Sequence, residues 1–206
     1  MLWRVLVVRC WVATALLVVG CGRGPARVDA PDVDAESAAD MALELYDANG
    51  DGALDGDELR RCPGIRSMLS VYDQDSNGRV DRAEVAQRLG QLFKNRVGAT
   101  QLRTRVTYHG RPLKDAAVLF EPEPYLGDEV QTARGKTNAH GSAQMGIGQE
   151  KLPKNLRHMM LVHYGTYKVR ITHPTIKLPA KYNSDTTLGY ETKMGDPFVT
   201  FTLVDR

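Results

Sequence analysis

Two twelve-residue stretches with the same spacing of oxygen-bearing side chains constrain the fold of this chain most strongly. They read DANGDGALDGDE at residues 47–58 and DQDSNGRVDRAE at residues 73–84. Both place a carboxylate or carboxamide at positions one, three, five, nine and twelve, and both have glycine at position six. Calcium takes about six to eight oxygen ligands at roughly 2.4 Å, so a short loop must wrap around the ion to supply them. The repeat therefore predicts two loops, each folded around one calcium ion.

Each predicted loop offers five side chains and one backbone carbonyl as ligands. In the first loop they are Asp47, Asn49, Asp51, Asp55 and Glu58, with the carbonyl of Ala53. In the second loop they are Asp73, Asp75, Asn77, Asp81 and Glu84, with the carbonyl of Arg79. Position six must turn sharply, which suits glycine. Solvated acidic turns without a metal would explain one such motif, but they do not explain why the glycine and the final glutamate recur together.

The two motifs and their flanks resemble an EF-hand pair, in which each calcium loop lies between two helices. Apolar residues at steps of three and four predict a helix over residues 35–46, before the first loop. Pro63 is expected to end the following helix early. The resemblance implies that Leu54 and Val80, at position eight of the two loops, meet in a short two-stranded bridge. We interpret the pair as structural or buffering, because methionines, which line the groove of calcium sensors, are few in this region.

The charges near the loops predict which loop fills first. Arg79 and Arg82 lie within the second loop, whereas the first loop carries the additional Asp57. A unit charge at about 8 Å is worth roughly 0.5 kcal/mol at the dielectric constant of water. The two arginines should weaken the second loop, so we predict that the first loop fills first. Because residues 35–95 contain all of the ligands, we also expect calcium to stabilise this region and to leave the rest of the chain nearly unaffected.

Residues 1–20 have the features of an export signal. Two arginines accompany an apolar run at residues 10–19, which is too short to cross a bilayer of about 30 Å. The run ends in Val-Val-Gly-Cys, which resembles the bacterial lipobox, and this implies that Cys21 is acylated and becomes the mature N-terminus. An ordinary signal cleaved nearby and an uncleaved anchor are the alternatives. Gly22 follows the cysteine and, by analogy with lipoprotein sorting in bacteria with two membranes, favours the outer membrane.

The rest of the chain divides into a linker and a second domain. Residues 21–34 are rich in glycine, proline and charge, which predicts a flexible tether. From residue 100 onward, short alternating segments separated by glycine and proline turns predict an antiparallel β-sandwich. The segments VTYHGRPLKDAAVLFEP, GKTNAHG, YGTYKVRIT and LPAKYN resemble the transthyretin-like, carboxypeptidase-regulatory-like domain common in planctomycete lipoproteins. This resemblance implies a fold and supplies no catalytic residues.

Composition narrows the function classes. The net charge of +2 predicts no nucleic-acid partner. The three cysteines stand at unrelated positions, which predicts neither a disulfide framework nor a zinc site. The sequence offers no convergent set of acid, base and nucleophile groups, so we do not expect an enzyme.

Together these patterns predict an α+β fold in two domains. An EF-hand pair occupies residues 35–95, and a transthyretin-like β-sandwich occupies residues 100–206. The predicted function is calcium binding at two sites by an exported, lipid-anchored protein of the cell envelope with a structural or adhesive role. The predicted partners are calcium and the membrane that holds the lipid. The alternative is a calcium-ordered module, similar to a dockerin, that binds an envelope protein or a glycan.

Overall fold

The computed structural model describes residues 28–94, 97–192, 195 and 197–205 of the chain. The predicted export signal and the predicted lipidation site, Cys21, lie outside these residues. Within the described ranges, no helix is both long enough and apolar enough to cross a membrane.

The N-terminal region is helical, and its helices flank the two predicted loops. The helices are α1 (Ala35–Tyr46), α2 (Gly56–Arg61), α3 (Pro63–Arg66), α4 (Leu69–Tyr72) and α5 (Arg82–Phe93). A short bridge pairs β1 (Ala53–Leu54) with β2 (Val80–Asp81). The α1 helix has the predicted bounds and begins at Asp34, whose Oδ1 accepts a hydrogen bond from the backbone N–H of Ser37 at 2.7 Å. Pro63 follows α2 closely and occupies the first turn of α3, where proline is tolerated.

The C-terminal region is a β-sandwich. Its strands are β3 (Ala99–Thr100), β4 (Leu102–Tyr108), β5 (Arg111–Pro112), β6 (Ala117–Pro122), β7 (Ala133–Lys136), β8 (Ser142–Met145), β9 (Val162–His163), β10 (Gly165–Thr172), β11 (Gly189–Thr192) and β12 (Phe198–Leu203). Short 3₁₀ turns lie at Pro124–Leu126, Gln149–Lys151, Lys154–Leu156 and Ala180–Tyr182. One sheet has the strand order β11-β10-β6-β7. In the second sheet, β4 pairs with β12 on one side and with β5 and β8 on the other, while β3 and β9 form a separate pair.

The core of the sandwich forms where aromatic side chains of the two sheets meet. Phe120 on β6 is fully buried, and its ring centre lies 5.8 Å from that of Tyr167 and 6.1 Å from that of Phe201 on β12. The predicted alternation along β4 is confirmed, because Leu102 and Val106 are buried and the arginines beside them are exposed. The sheets are antiparallel except for one pair. The predicted antiparallel β-sandwich is confirmed, with the exception that β4 and β12 run parallel, with Phe198 opposite Arg103.

The helical region and the sandwich are packed closely against each other. The α3 helix lies on β10 and β11, and the contact requires glycine on both sides. A Cβ atom on Gly189 would lie 1.7 Å from the carbonyl oxygen of Pro63, and one on Gly64 would lie 2.8 Å from Cγ of Glu123. Buried apolar residues form one continuous core from α1 to β12. The expectation that calcium acts on residues 35–95 alone assumed separate cores, and the shared core removes that assumption.

Residues 28–34, which the sequence places in the tether, lie against the folded chain. Val28 is buried, and its carbonyl oxygen accepts a hydrogen bond from the backbone N–H of Gly98 at 2.9 Å. Val33 also packs against the core. These contacts attach the segment before α1 to the junction between the helical region and the sandwich.

Candidate metal centre

The two loops use the same backbone hydrogen bond to hold the first predicted ligand. The N–H of Gly52 donates to Oδ2 of Asp47 at 2.9 Å, and the N–H of Gly78 donates to Oδ2 of Asp73 at 2.9 Å. The two glycines have φ angles of 83° and 82°, in the left-handed region that favours glycine. The hydrogen bond from Gly52 is the main reason that the pKa of Asp47 is lowered. The glycine at position six thus both turns the loop and orients the carboxylate at position one.

The glutamate at position twelve is held through both of its carboxylate oxygens. Oε2 of Glu58 accepts from the backbone N–H of Asp55 at 3.1 Å, and Oε2 of Glu84 accepts from that of Asp81 at 3.0 Å. These pairs form capping boxes at the starts of α2 and α5. In both loops, Oε1 accepts from the backbone N–H at position two at 2.8 Å. The helix that leaves each loop therefore positions its ninth and twelfth residues.

The structure brings three of the predicted ligands of the second loop together. One carboxylate oxygen from each of Asp73, Asp75 and Glu84 lies within 4.8 Å of the others. The predicted bridge between the loops is confirmed, because Leu54 pairs with Val80. Carboxylate, carboxamide and carbonyl oxygens are the donors that calcium prefers. The donor types and the matched hydrogen bonds of both loops fit calcium, but among the described residues only the second loop has three carboxylates gathered in this way.

The side chain of Arg79 crosses from the second loop to the first. Its Nη2 atom makes an ion pair with Oδ1 of Asp51, and its Nε atom lies 3.8 Å from Oδ2 of Asp55. These acceptors are the predicted ligands at positions five and nine of the first loop. The positive charge of Arg79 thus competes with a cation in the first loop, although its carbonyl is a predicted ligand in the second.

The other arginine of the second loop points to α1. Arg82 pairs with Glu36 and with Asp40, and hydrogen bonds to these two acids raise the pKa of its guanidinium. Its charge is therefore offset outside both loops. Both arginines were expected to repel a cation from the second loop, but Arg79 faces the first loop and Arg82 faces α1. We now expect the second loop to bind calcium more tightly.

A buried carboxylate of the sandwich holds the residues on both sides of the first loop and its helix. Glu123 is fully buried and accepts hydrogen bonds from the Tyr46 hydroxyl and from the Gly64 backbone N–H, both at 2.8 Å. Lys168 lies 3.6 Å from the same carboxylate, and its Nζ also lies 5.1 Å from the centre of the Tyr46 ring. Burial raises the pKa of Glu123, and these three partners oppose the shift. Tyr46 directly precedes the first ligand of the loop, so the sandwich fixes the position of the loop.

A second buried carboxylate contacts the helices around the second loop. Arg88 on α5 makes an ion pair with Glu191 on β11, which is 1% exposed. Hydrogen bonds to Glu191 raise the pKa of Arg88. Tyr72, the residue before the second loop, is fully buried, and the charge of Glu191 adds to burial in raising the pKa of its hydroxyl. Each loop is thus preceded by a buried tyrosine near a carboxylate of the sandwich; the Tyr46 hydroxyl donates a hydrogen bond to Glu123, whereas the Tyr72 hydroxyl has no hydrogen-bond partner among the described residues.

Sequence reasoning missed this pair of carboxylates. Glu123 lies in the ordinary segment Glu-Pro-Glu-Pro, and Glu191 lies in an unremarked strand. The signal that was present is the tyrosine before position one of both loops, Tyr46 and Tyr72. The shared tyrosine indicates that Tyr46 and Tyr72 occupy equivalent positions. It does not identify Glu123 and Glu191 as the carboxylates near them.

Two remaining candidates for chemistry are buried and structural. Cys62 is a free, fully buried thiol, and burial raises its pKa, which disfavours the reactive thiolate. His163 is 8% exposed, and burial lowers its pKa. Its Nδ1 accepts a hydrogen bond from the backbone N–H of Gln131 at 3.3 Å. Both fit packing roles better than ligand roles.

Comparison with known proteins identifies one part of this site. The family model described as "EF hand" matches residues 39–63, which contain the first loop. No curated protein matches the chain. Among solved structures, a DUF3823 family protein from Parabacteroides merdae ATCC 43184 is similar over 52% of this chain, with 12% identity and a TM-score of 0.32. The similar part spans 45% of that protein, less than half of its length. The chain therefore contains an EF hand, and EF hands bind calcium.

Proposed function

We propose that this protein binds two calcium ions and is a structural component of the cell envelope. In this proposal, the loops do not act as a sensor, and calcium stiffens the junction between the membrane-proximal helices and the β-sandwich. The proposed role is non-catalytic. The junction stiffened by calcium would hold the β-sandwich in a defined orientation relative to the membrane.

The observation that carries this proposal is the buried contact of Glu123 with the flanks of the first loop. A sensor EF-hand pair changes its helix angles on binding calcium and exposes an apolar groove. Here α1 and α3 are packed on the sandwich, and the groups that would have to separate are buried and hydrogen-bonded. Leaving such groups without partners costs about 1–3 kcal/mol each. A pair held in this way is suited to a fixed calcium-dependent joint.

Titration calorimetry and thermal unfolding of the full chain test the calcium part. We expect two binding events and one cooperative unfolding transition that calcium moves upward as a whole. One site at 100 times its dissociation constant stabilises the folded state by about 2.7 kcal/mol. Glu58→Gln and Glu84→Gln should each abolish one event. Glu44→Gln, which makes the same change in charge at an exposed position of α1, is the matched control.

Two results would contradict the proposal. One is the absence of calcium binding in the wild-type chain. The other is a melt with two transitions of which only the first responds to calcium, because a joint must transmit the stabilisation to the sandwich.

The membrane part of the proposal rests on the lipobox-like end of the leader. The full-length gene product should fractionate with membranes, and Cys21→Ser should release the protein or leave an uncleaved precursor. Cys10→Ser, which changes a cysteine within the leader, is the control and should leave fractionation unchanged. Normal processing and detergent partitioning of the Cys21→Ser protein would show that the lipid anchor is wrong.

A further inference from the structure

The outer face of the second sheet carries a basic groove that the calcium site does not use. Outward-facing residues of the parallel pair line up across the strands, so that Phe198 lies opposite Arg103 and Thr200 lies opposite Arg105. On the other side of β4, Gln144 lies opposite Arg103 and Ser142 lies opposite Arg105. All of these residues except Thr200 line a groove of about 450 Å³, together with Asn138, Ala143 and His140. We propose that this groove binds an acidic polysaccharide, with the arginines on sugar carboxylates and Phe198 against a sugar ring.

Among the described residues, the groove carries positive charge and no acidic side chain that offsets it. In the portion of the chain that the structure describes, neither Arg103 nor Arg105 has an ion-pair partner, and no aspartate or glutamate lines the groove. Other arginines of this fold are paired with carboxylates, as Arg88 and Arg170 are. A planar guanidinium offers a fork of N–H donors that matches a carboxylate in a bidentate arrangement. Two such forks on alternate residues of one strand favour a repeating anionic ligand.

The aromatic ring gives the groove its preference for a sugar. Phe198 is 43% exposed, although it is a large apolar side chain on an open sheet. The guanidinium carbon of Arg105 lies 5.9 Å from the centre of its ring, an arrangement in which the ring supports the cation. An exposed ring beside hydrogen-bonding groups can cover the apolar C–H face of a pyranose while its hydroxyls reach the polar side chains.

The turn at one end of the groove supplies preorganised donors. Oδ1 of Asn138 accepts hydrogen bonds from the backbone N–H groups of His140 at 2.9 Å and Ser142 at 3.2 Å. Since the oxygen is engaged, the Nδ2 donors of this carboxamide remain for a ligand. The turn is also fixed by Gly141, whose φ of 69° and close approach to the carbonyl oxygen of Val106 leave no room for a side chain.

A polysaccharide fits this surface better than a folded protein. A stable protein interface buries about 800 Å² on each partner around an apolar centre. The groove offers one large exposed apolar side chain, flanked by planar polar ones, on a narrow strip three strands wide. A single extended polymer chain can fill such a strip.

The groove is separate from the calcium junction. The helices contact β10 and β11 of the first sheet, whereas the groove lies on β12, β4 and β8 of the second. Binding should therefore persist in a calcium chelator. The two proposals can therefore fail separately. Loss of calcium binding would leave polysaccharide binding intact, and loss of polysaccharide binding would leave calcium binding intact.

The test is titration of the full chain with polygalacturonate, with the neutral polymer dextran and with the non-sugar polyanion polyglutamate. We expect binding to polygalacturonate only, and an affinity reduced about tenfold or more in Arg103→Ala/Arg105→Ala. Phe198→Ala should also weaken binding to polygalacturonate. Lys154→Ala/Lys177→Ala removes the same charge at exposed positions that do not line the groove, and should leave the affinity unchanged. Thermal melts of all variants check that the fold is retained.

The remaining outcomes overturn the proposal. Equal binding of polyglutamate and polygalacturonate would show that the surface binds anions without recognising sugar. An equal loss in the lysine control would show that the effect is one of net charge. Unchanged binding in the folded double-arginine variant would show that the ligand lies elsewhere.

Discussion

Replacing Glu123 with alanine should weaken the first calcium loop, although the residue belongs to the sandwich. The substitution removes the only acceptor of two buried donors, the Tyr46 hydroxyl and the Gly64 N–H, that the described residues provide. It also leaves Lys168, whose side chain is 21% exposed, without its carboxylate. Tyr46 and Gly64 lie on either side of the first loop and its short exit helix. Their release should therefore loosen the frame that the loop needs.

The expected loss of folding free energy follows from the burial of Glu123 and of the groups that contact its carboxylate. Each unsatisfied buried donor costs about 1–3 kcal/mol, and breaking a buried ion pair costs about 3–5 kcal/mol. These costs overlap because they share one carboxylate, so we expect a total loss of about 3–5 kcal/mol. For a chain of this size, one kcal/mol moves the melting temperature by about 2–4 °C. The melting temperature should therefore fall by about 10 °C, and the affinity of the first loop should fall while that of the second changes less.

Glu121→Ala is the matched control for this experiment. Glu121 lies two residues earlier, on β6, its side chain is 43% exposed, and it pairs with Arg170 at 2.7 Å. An exposed pair of this kind contributes about 0–1 kcal/mol. Urea unfolding and calcium titration of both variants, with and without chelator, give the comparison. If Glu123→Ala matches Glu121→Ala in stability, or lowers stability with no effect on calcium at the first loop, the coupling between sandwich and loop is refuted.

Three further predictions concern single groups. Arg79→Ala should raise the calcium affinity of the first loop, because it removes a competing cation from two of its ligands, whereas Arg82→Ala should not. Titration calorimetry measures both variants, and equal effects would contradict the placement of Arg79 at the first loop. Arg88→Ala should cost about 3–5 kcal/mol by leaving Glu191 buried and unpaired, and a loss under about 1 kcal/mol in urea unfolding would show that the pair is dispensable. Burial raises the pKa of Glu123 from 4.5, so the folded state holds this proton more tightly than the unfolded state. The stability that it contributes is complete below that value and is lost as pH rises through the folded-state pKa. In chelator, wild type should therefore lose stability relative to Glu123→Gln as pH rises from about 4.5, and a constant difference between the two would contradict this.

Local patterns in the sequence were sufficient for several elements and for the loop motifs. The bounds of α1, the early end of α2 at Pro63 and the pairing of Leu54 with Val80 were all predicted correctly. The first two depend on interactions within a few residues, and the third was implied by the resemblance to an EF-hand pair. A calcium loop carries nearly all of its ligands in twelve consecutive residues, so its sequence contains most of its geometry.

The tertiary structure alone decided which distant groups meet. The sequence placed the charge of Arg79 beside the second loop, and the fold carries that side chain to Asp51 in the first. It also makes the pair of β4 and β12 parallel, which no local alternation encodes. Glu123 became part of the calcium region because a 3₁₀ turn of the sandwich packs on α1. A buried carboxylate must find hydrogen-bond partners, but the position of those partners depends on how whole elements pack, and periodicity within one element carries no information about that.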